Sequence, residues 1–337
     1  MSTSIRNLMK TGLAAGAGFL LGKGITEFQR DMQETRARLI AGSRVVQTAH
    51  GPIEYATTGE GYPVLSIHGS IGGYDQGLLL GKMAIPDGFR LIAPSRFGFL
   101  RTPFPKEPIA LEELPAVQAD AFASLLDALG IERAVVIGFS AGGPAALQFA
   151  LRHPQRVSAL VLLSAALWAP PAPETKRNFP LPRAAYDVIL NSDFILWLAM
   201  KTALPAIQSA FAVSKEMQAC LTPEEKTMLD NFFHAMLPTS LRKEGILHDG
   251  PAVDALVRYN LEQVQPPTLV VSAKDDRIAP LTWGEYTAQH IPEARFILYE
   301  SGGHTLAGNH ERLKHEVAGF LAGSLVGTNK PGPEGVA

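Results

Sequence analysis

Residues 135–150, VVIGFSAGGPAALQFA, contain the pattern that decides the fold. An apolar run leads to Ser140, glycines lie on both sides of that serine, and a segment of helical character follows. Gly138-Phe139-Ser140-Ala141-Gly142 matches G-x-S-x-G, in which the serine occupies a sharp turn between a strand and a helix. Glycines are expected beside it because side chains there would collide with the strand and the helix. We therefore predict that Ser140 is a nucleophile at the carboxyl end of a sheet.

The composition is that of a globular protein with a large core. The chain has 337 residues, 46% hydrophobic and 18% charged, which suffices for one large α/β domain with an insertion or for two ordinary domains. A formal net charge of −2 gives no basic face, so we expect no nucleic-acid partner. Cys220 is the single cysteine, which excludes an intramolecular disulfide and a cysteine-rich metal site.

Residues 1–42 form an N-terminal extension with an apolar part and a charged part. The apolar run, residues 11–22, is shorter than the roughly 20 residues that an ordinary spanning helix needs. A mobile extension is one interpretation, and association with a membrane surface through residues 5–25 is another. We expect a cytoplasmic protein, with membrane association and export as open alternatives.

From about residue 43 onward, short apolar segments alternate with segments of helical spacing. This alternation covers residues 43–166 and 263–325 and predicts an α/β fold, a mostly parallel twisted sheet with helices on both faces. Residues 167–262 break the alternation with proline clusters and helical segments, which predicts an inserted all-helical cap. Some of its apolar side chains should line a pocket, and Trp168 is our candidate. Residues 326–337 are expected to form a flexible tail.

His304 is the expected general base for Ser140. It follows an apolar strand and two glycines and precedes the final helix, and a reactive serine needs a base that such a loop can supply. His310 and His315 are rivals, but both fall in that final helix, where we expect them to be solvated.

Asp276 is the expected acid that orients His304. It follows the preceding strand and stands four residues before Pro280, which places it in a turn. Asp275 is the alternative. The chain order serine, aspartate, histidine is one of the orders in which catalytic triads occur.

Two backbone N–H groups are expected to form an oxyanion hole, which stabilises the charge of a tetrahedral intermediate. One belongs to Ala141, directly after the nucleophile. The other belongs to Ser70, because Gly69 lets the loop after an earlier strand turn inward. His68 in the same loop is expected to hold the loop by hydrogen bonds rather than to act as a second base.

These features together resemble the α/β-hydrolase superfamily, in its serine-esterase-like members with a helical cap. The resemblance rests on the HG loop at 68–69, GFSAGG at 138–143, the Asp276 turn and His304. It implies the α/β-hydrolase fold over about residues 43–325, and no metal ion or organic cofactor. The chain departs from the family pattern at Ser95, where many members have an aspartate.

The resemblance implies acyl transfer through an acyl-enzyme. We expect a carboxylic ester hydrolase for small to medium apolar substrates, with Phe139, Arg101 and Trp168 as substrate-binding candidates. Arg101 or Arg96 would recognise a carboxylate if the substrate carries one. A lactonase, a C–C bond hydrolase or a perhydrolase would use the same triad, and a non-catalytic ligand-binding protein is a different class. The oligomeric state stays open.

Overall fold

The computed structural model describes the backbone of residues 3–171 and 191–325, and side chains from residue 22 onward within those ranges. The predicted tail at 326–337 and most of the proline-rich start of the insertion, 172–190, lie outside the described residues.

One sheet of eight strands organises the described part of the chain. Its order is β1-β2-β4-β3-β5-β6-β7-β8. The strands are β1 Arg44–Thr48, β2 Gly51–Thr58, β3 Tyr62–Ile67, β4 Phe89–Pro94, β5 Ala134–Phe139, β6 Val157–Leu163, β7 Thr268–Ala273 and β8 Arg295–Tyr299. β2 runs antiparallel to β1 and β4, and all other neighbours are parallel. The predicted α/β fold with a mostly parallel sheet is confirmed.

Helices cover both faces of this sheet. The described α-helices are α1 Thr3–Ala41, α2 Tyr74–Ala84, α3 Leu114–Ala128, α4 Gly143–Arg152, α5 Asp193–Ala210, α6 Lys215–Cys220, α7 Pro223–His234, α8 Lys243–Asp254, α9 Leu281–His290 and α10 His310–Leu325. Every residue of β5 and β6 is buried. This is expected of central parallel strands, whose sequences are nearly continuous apolar runs. Because the parallel strands end at one edge, the loops that follow them meet there.

The insertion between β6 and β7 is helical where it is described, from α5 to α8. Local signals explain its helix starts: the Thr222 hydroxyl accepts the N–H of Glu225, and the Glu225 carboxylate accepts the N–H of Thr222. This capping box satisfies two N–H groups that a helix start otherwise leaves free. Phe232 and Phe233 of α7 pack in the same buried cluster as residues of β5 and β6. The insertion therefore packs on the core of the sheet.

The second half of α1 packs on the body of the protein. Met32 and Leu39 are each 4% exposed, and the Asp31 carboxylate accepts the indole N–H of Trp197 in α5 at 3.0 Å. This half of the extension is therefore held in place instead of extending freely, because it buries apolar side chains. Among the described residues, no helix combines the length and the apolar character needed to cross a membrane.

Truncating Met32 tests this packing. Met32→Ala is expected to lower the free energy of unfolding by about 2–3 kcal/mol, because it removes buried methylene groups and leaves a cavity. Ile40→Ala, at a position 60% exposed in the same helix, should change it by less than about 0.5 kcal/mol. Urea denaturation followed by circular dichroism measures both. Equal, small effects would show that α1 is not packed.

Candidate active site

Ser140 lies in the turn between β5 and α4. Its φ is 49°, a left-handed backbone conformation that residues other than glycine seldom adopt. A Cβ atom at Gly142 would lie 2.4 Å from the carbonyl oxygen of His68, and one at Gly138 would lie 2.6 Å from the Cβ of Ala146. Neither position has room for a side chain, which is the reason for the glycines on both sides of the serine.

Ser140, His304 and Asp276 form a hydrogen-bonded chain. The Ser140 Oγ lies 2.9 Å from His304 Nε2, and His304 Nδ1 lies 2.8 Å from Asp276 Oδ2. All three residues are at most 8% exposed. When Nδ1 carries the proton that faces the carboxylate, Nε2 is free to accept the proton of the Ser140 hydroxyl. The geometry thus suits proton transfer from the serine.

Asp276 is held by the turn that follows β7. Its second carboxylate oxygen accepts the N–H groups of Ile278 at 2.8 Å and Ala279 at 3.0 Å. The first oxygen therefore stays aimed at His304. Asp276 therefore lies in a turn, as its position four residues before Pro280 predicts.

Asp275 contacts the backbone before His304 and not its imidazole. Its carboxylate accepts the N–H groups of Gly303 at 2.9 Å and Gly302 at 3.3 Å. The two adjacent aspartates therefore meet the histidine loop in different ways. One contacts the ring, and the other fixes the two glycines that lead to it.

The rival histidines lie apart from Ser140. His315 is exposed, as expected of a residue in the final helix. His310 is only 5% exposed, and its Nε2 lies 3.2 Å from the carbonyl oxygen of Thr305. The expectation that His310 is solvated is wrong, because it begins α10 at the point where that helix meets the core. Burial lowers the pKa of His310.

The loop after β3 lies directly against the turn at Ser140. A Cβ atom at Gly69 would be 3.0 Å from the Cβ of Ser140. The His68 ring holds this loop: Nδ1 lies 2.7 Å from the carbonyl oxygen of Gly69, and Nε2 accepts the N–H of Arg96 at 2.9 Å. Burial, and then the charge of Arg96, hold the pKa of His68 well below its usual value. A neutral imidazole with Nδ1 protonated fits both contacts.

Asp249 of α8 also reaches the loops around Ser140. Its Oδ2 accepts hydrogen bonds from the Ser70 hydroxyl at 2.5 Å and from Arg96 Nη2 at 2.5 Å. Arg96 Nη1 donates to the carbonyl oxygen of Ala141 at 3.0 Å. Burial raises the pKa of Asp249, while Arg96 and Ser70 act to lower it. No sequence signal marks this aspartate, because a single acidic residue in a helical segment resembles an exposed one.

Phe139, a substrate-binding candidate from the sequence, lies beside His304. It is 2% exposed, and its ring centroid lies 5.1 Å from that of His304 and 5.9 Å from that of Phe232 in α7. The carbonyl oxygen of Phe211, just after α5, accepts the N–H of His304 at 3.2 Å. The insertion therefore contacts the histidine through backbone and aromatic groups.

Arg101 and Trp168 are placed elsewhere. Arg101 Nε donates to Glu54 at 2.7 Å, and its Nη2 donates to Ser43, so the guanidinium is engaged near β1 and β2. The Trp168 ring packs edge-on against Tyr286 of α9, 5.4 Å between centroids. The structure does not bring either side chain into the hydrogen-bonded group around Ser140. A buried carboxylate at Glu54 explains why Arg101 turns away from the site.

An open cleft lies beside the turn at Ser140, between α8 of the insertion and the starts of α3 and α4. Arg96, Ala141 and Asp249 line it together with apolar side chains such as Phe104 and Leu256. Within the described ranges, no group of three or more His, Cys, Asp or Glu side chains is arranged to hold a metal ion.

A family model described as alpha/beta hydrolase fold matches residues 62–310, a span that contains every group around Ser140. The chain belongs to the α/β-hydrolase family. Two of its relatives are named as hydrolases. The 2-hydroxymuconate semialdehyde hydrolase of Pseudomonas putida is 28% identical over 279 residues, 78% of this chain and 88% of the relative. The putative carbamate hydrolase RutD of Caulobacter is 31% identical over 213 residues, 62% of this chain and 72% of the relative.

Solved structures agree with this assignment. An alpha/beta hydrolase fold protein from Nakamurella multipartita superposes with a TM-score of 0.70 at 27% identity. The match covers 83% of this α/β-hydrolase and 98% of that chain. Nearly the whole of the Nakamurella protein therefore has a counterpart in this chain, and only a small fraction of this chain lies outside the match.

The buried His310 predicts a loss of stability in acid. Because its pKa is lowered in the folded state, the unfolded chain binds the proton more readily below about pH 6.5. The stability gained from a neutral His310 is fully present above that pH and is lost progressively as the pH falls below it toward the lowered pKa of the folded state. The thermal unfolding midpoint should therefore drop as the pH falls below about 6.5, and less steeply in His310→Phe.

Differential scanning fluorimetry at a series of pH values measures these midpoints. The exposed His315→Phe variant is the matched control and should keep the slope of the unchanged protein. Identical slopes in all three proteins would contradict the role given to His310.

Proposed function

We propose that this α/β-hydrolase is a serine hydrolase of carboxylic esters, with Ser140 as nucleophile, His304 as general base and acid, and Asp276 as the residue that orients His304. The observation that carries the proposal is the unbroken hydrogen-bonded chain from Ser140 to Asp276, with links of 2.9 and 2.8 Å. Burial of the three groups excludes bulk water, which strengthens the electrostatic interactions among them.

The first half-reaction is acylation of Ser140. Nε2 of His304 accepts the hydroxyl proton as the Ser140 Oγ attacks the ester carbonyl, and a tetrahedral intermediate forms. Asp276 stabilises the imidazolium that results. The intermediate collapses when the ester oxygen leaves as an alcohol, taking the proton from Nε2.

The second half-reaction is hydrolysis of the acyl-enzyme. His304 accepts a proton from a water molecule, whose oxygen attacks the acyl carbonyl. Collapse of the second intermediate returns the proton to the Ser140 Oγ and releases the carboxylic acid. The same three side chains therefore act in both half-reactions. The proton leaves Ser140 in the first and returns to it in the second.

The N–H groups of Ser70 and Ala141 are proposed to bind the oxyanion. Support comes from the close approach of Gly69 to Ser140, which sets the loop after β3 beside the nucleophile turn. Ala141 begins the turn that leads into α4, so the start of a helix also faces the developing negative charge. Removing one such donor typically costs about 10²–10³ in kcat.

The substrate is proposed to be a small or medium ester with an apolar part. The rings of Phe139 and Phe211 lie 5.1 and 6.4 Å from that of His304, and Phe232 packs on Phe139. An apolar environment of this kind favours an apolar acyl or alcohol group. Arg101 has no part in this proposal, because Glu54 engages it.

Hydrolysis of a C–C bond is the second candidate. It is favoured by the similarity to a 2-hydroxymuconate semialdehyde hydrolase, at 28% identity over most of both chains. Hydrolysis of a carbamate or of a lactone would use the same serine and histidine. Transfer of the acyl group to a peroxide instead of to water would use them as well.

Turnover of p-nitrophenyl acetate, butyrate and octanoate, with and without Ser140→Ala, tests the proposal. We expect rapid hydrolysis with an optimum in chain length, and a loss of at least about 10³-fold in kcat in Ser140→Ala, because no other group can form the acyl-enzyme. Feeble but serine-dependent turnover across the series would favour the C–C or carbamate candidates. Absence of turnover with intact ligand binding would indicate a non-catalytic protein.

Asp276→Asn and Asp275→Asn form a matched pair of variants. Asp276→Asn is expected to lower kcat about 10³–10⁴-fold, because an amide can hold His304 in the wrong tautomer. Asp275→Asn keeps an acceptor for the Gly303 N–H and should lower kcat less than about tenfold. Steady-state kinetics on the best ester separates them. A larger loss in Asp275→Asn would reverse the assignment of the acid.

A further inference from the structure

Asp249 links the helical insertion to both sides of the proposed oxyanion hole, directly at Ser70 and through Arg96 at Ala141. We infer that Asp249 is a positioning residue for the Ser70 and Ala141 N–H groups, so that α8 helps to set the geometry of the transition state. This inference rests on the proposed function, and it adds a role for a side chain far from Ser140 in the sequence.

The contacts form a short bridge that spans the hole. A single oxygen, Oδ2 of Asp249, accepts the Ser70 hydroxyl at 2.5 Å and Arg96 Nη2 at 2.5 Å. Arg96 then donates from Nη1 to the carbonyl oxygen of Ala141 at 3.0 Å. Both residues that are proposed to supply the N–H donors are thereby tied to one carboxylate. A displacement of about 1 Å in such groups is enough to slow a reaction substantially.

The charge of the bridge is balanced. An unpaired carboxylate beside the hole would oppose the negative charge that develops on the substrate oxygen. Arg96 compensates for it, and the Arg96 guanidinium is itself fixed over the Phe99 ring, 5.0 Å from the centroid. Arg96 and Asp249 are both less than 10% exposed. Buried pairs of this kind contribute little net stability, so a role in fixing geometry accounts for them better.

A merely structural role would be to fasten the insertion to the rest of the chain. Asp193 at the start of α5 has that role: it pairs with Arg36 of α1 at 3.1 Å and accepts hydrogen bonds from Thr239 and Ser240. Its carboxylate is as well buried as that of Asp249, with side-chain exposures of 9% and 7%. Asp193 contacts neither Ser70 nor Arg96 through these bonds, which makes it a matched control.

Kinetics of Asp249→Asn and Asp193→Asn provide the first test. Asp249→Asn keeps one oxygen that can accept from both Ser70 and Arg96, but it removes the negative charge. Both hydrogen bonds therefore weaken, and the buried Arg96 charge loses its counter-ion. We expect kcat for the best p-nitrophenyl ester to fall about 10–100-fold with KM changed less than about threefold, since only transition-state binding is weakened. Asp193→Asn should leave both within about twofold.

Binding of a trifluoromethyl ketone with the same acyl chain provides a readout that a loosened insertion would not reproduce. This ketone forms a tetrahedral adduct with a serine, and its oxyanion occupies the hole. Its affinity should fall in Asp249→Asn by the same factor as kcat/KM, while the affinity of the matching methyl ketone changes little. Equal losses for both ketones, or equal losses in Asp193→Asn, would overturn the inference.

Ser70→Ala keeps the Ser70 N–H but removes the hydroxyl that Asp249 accepts, and it serves as the second variant should Asp249→Asn fail to fold. We expect Ser70→Ala to lower kcat about 3–10-fold. The double variant Ser70→Ala/Asp249→Asn should lower kcat by less than the product of the two single factors, because the two side chains act through one contact. Wild-type kcat in Ser70→Ala would count against the bridge.

Hydrogen exchange of the free protein separates this inference from the proposed function. Amides of residues 68–72 and 140–143 should exchange at least about tenfold faster in Asp249→Asn than in Asp193→Asn, because the bridge holds both segments. Unchanged exchange would overturn the inference whatever the protein hydrolyses. If the unchanged protein shows no Ser140-dependent turnover, the proposed function fails, and this exchange comparison still decides whether Asp249 holds the two loops.

Discussion

At Ser140 the chain leaves a buried central strand and enters a helix within one turn, and it does so with a φ of 49°. Such a backbone conformation costs on the order of 1–3 kcal/mol and persists only where the surroundings enforce it. Here the enforcement comes from neighbours that leave no room for side chains at Gly138 and Gly142. The rest of the site depends on this turn, because it holds the hydroxyl toward His304 and sets Ala141 beside the loop after β3.

The helical insertion is part of the site as much as the sheet is. Phe232 packs on Phe139, the carbonyl oxygen of Phe211 accepts the N–H of His304, and Asp249 accepts from Ser70. Through these contacts the insertion places aromatic rings and polar groups on opposite sides of Ser140. A change in how the insertion packs would therefore alter the chemistry as well as the shape of the pocket.

Three buried carboxylates each face an ionisable partner, two of them in the site and one away from it. Asp276 faces His304, Asp249 faces Arg96, and Arg101 faces Glu54, which is 1% exposed. Desolvating an unpaired charge costs several kcal/mol, so a buried site can hold this many ionisable groups only in pairs. The same requirement fixes the orientation of each side chain and leaves Arg101 committed to Glu54.

Sequence alone predicted the α/β fold, because strands, turns and helices have local sequence patterns. It also led to Ser140, His304 and Asp276 as candidate site residues, because each follows a predicted strand. The choice of Asp276 over Asp275 depended on its turn. Only the tertiary structure showed which residues distant in the sequence contact one another and which polar side chains are buried. Asp249 meets Ser70 across 179 positions, His310 is buried although its helix start resembles a solvated one, and Trp168 packs on α9. Such contacts arise only when distant segments pack, and no short stretch of sequence encodes them.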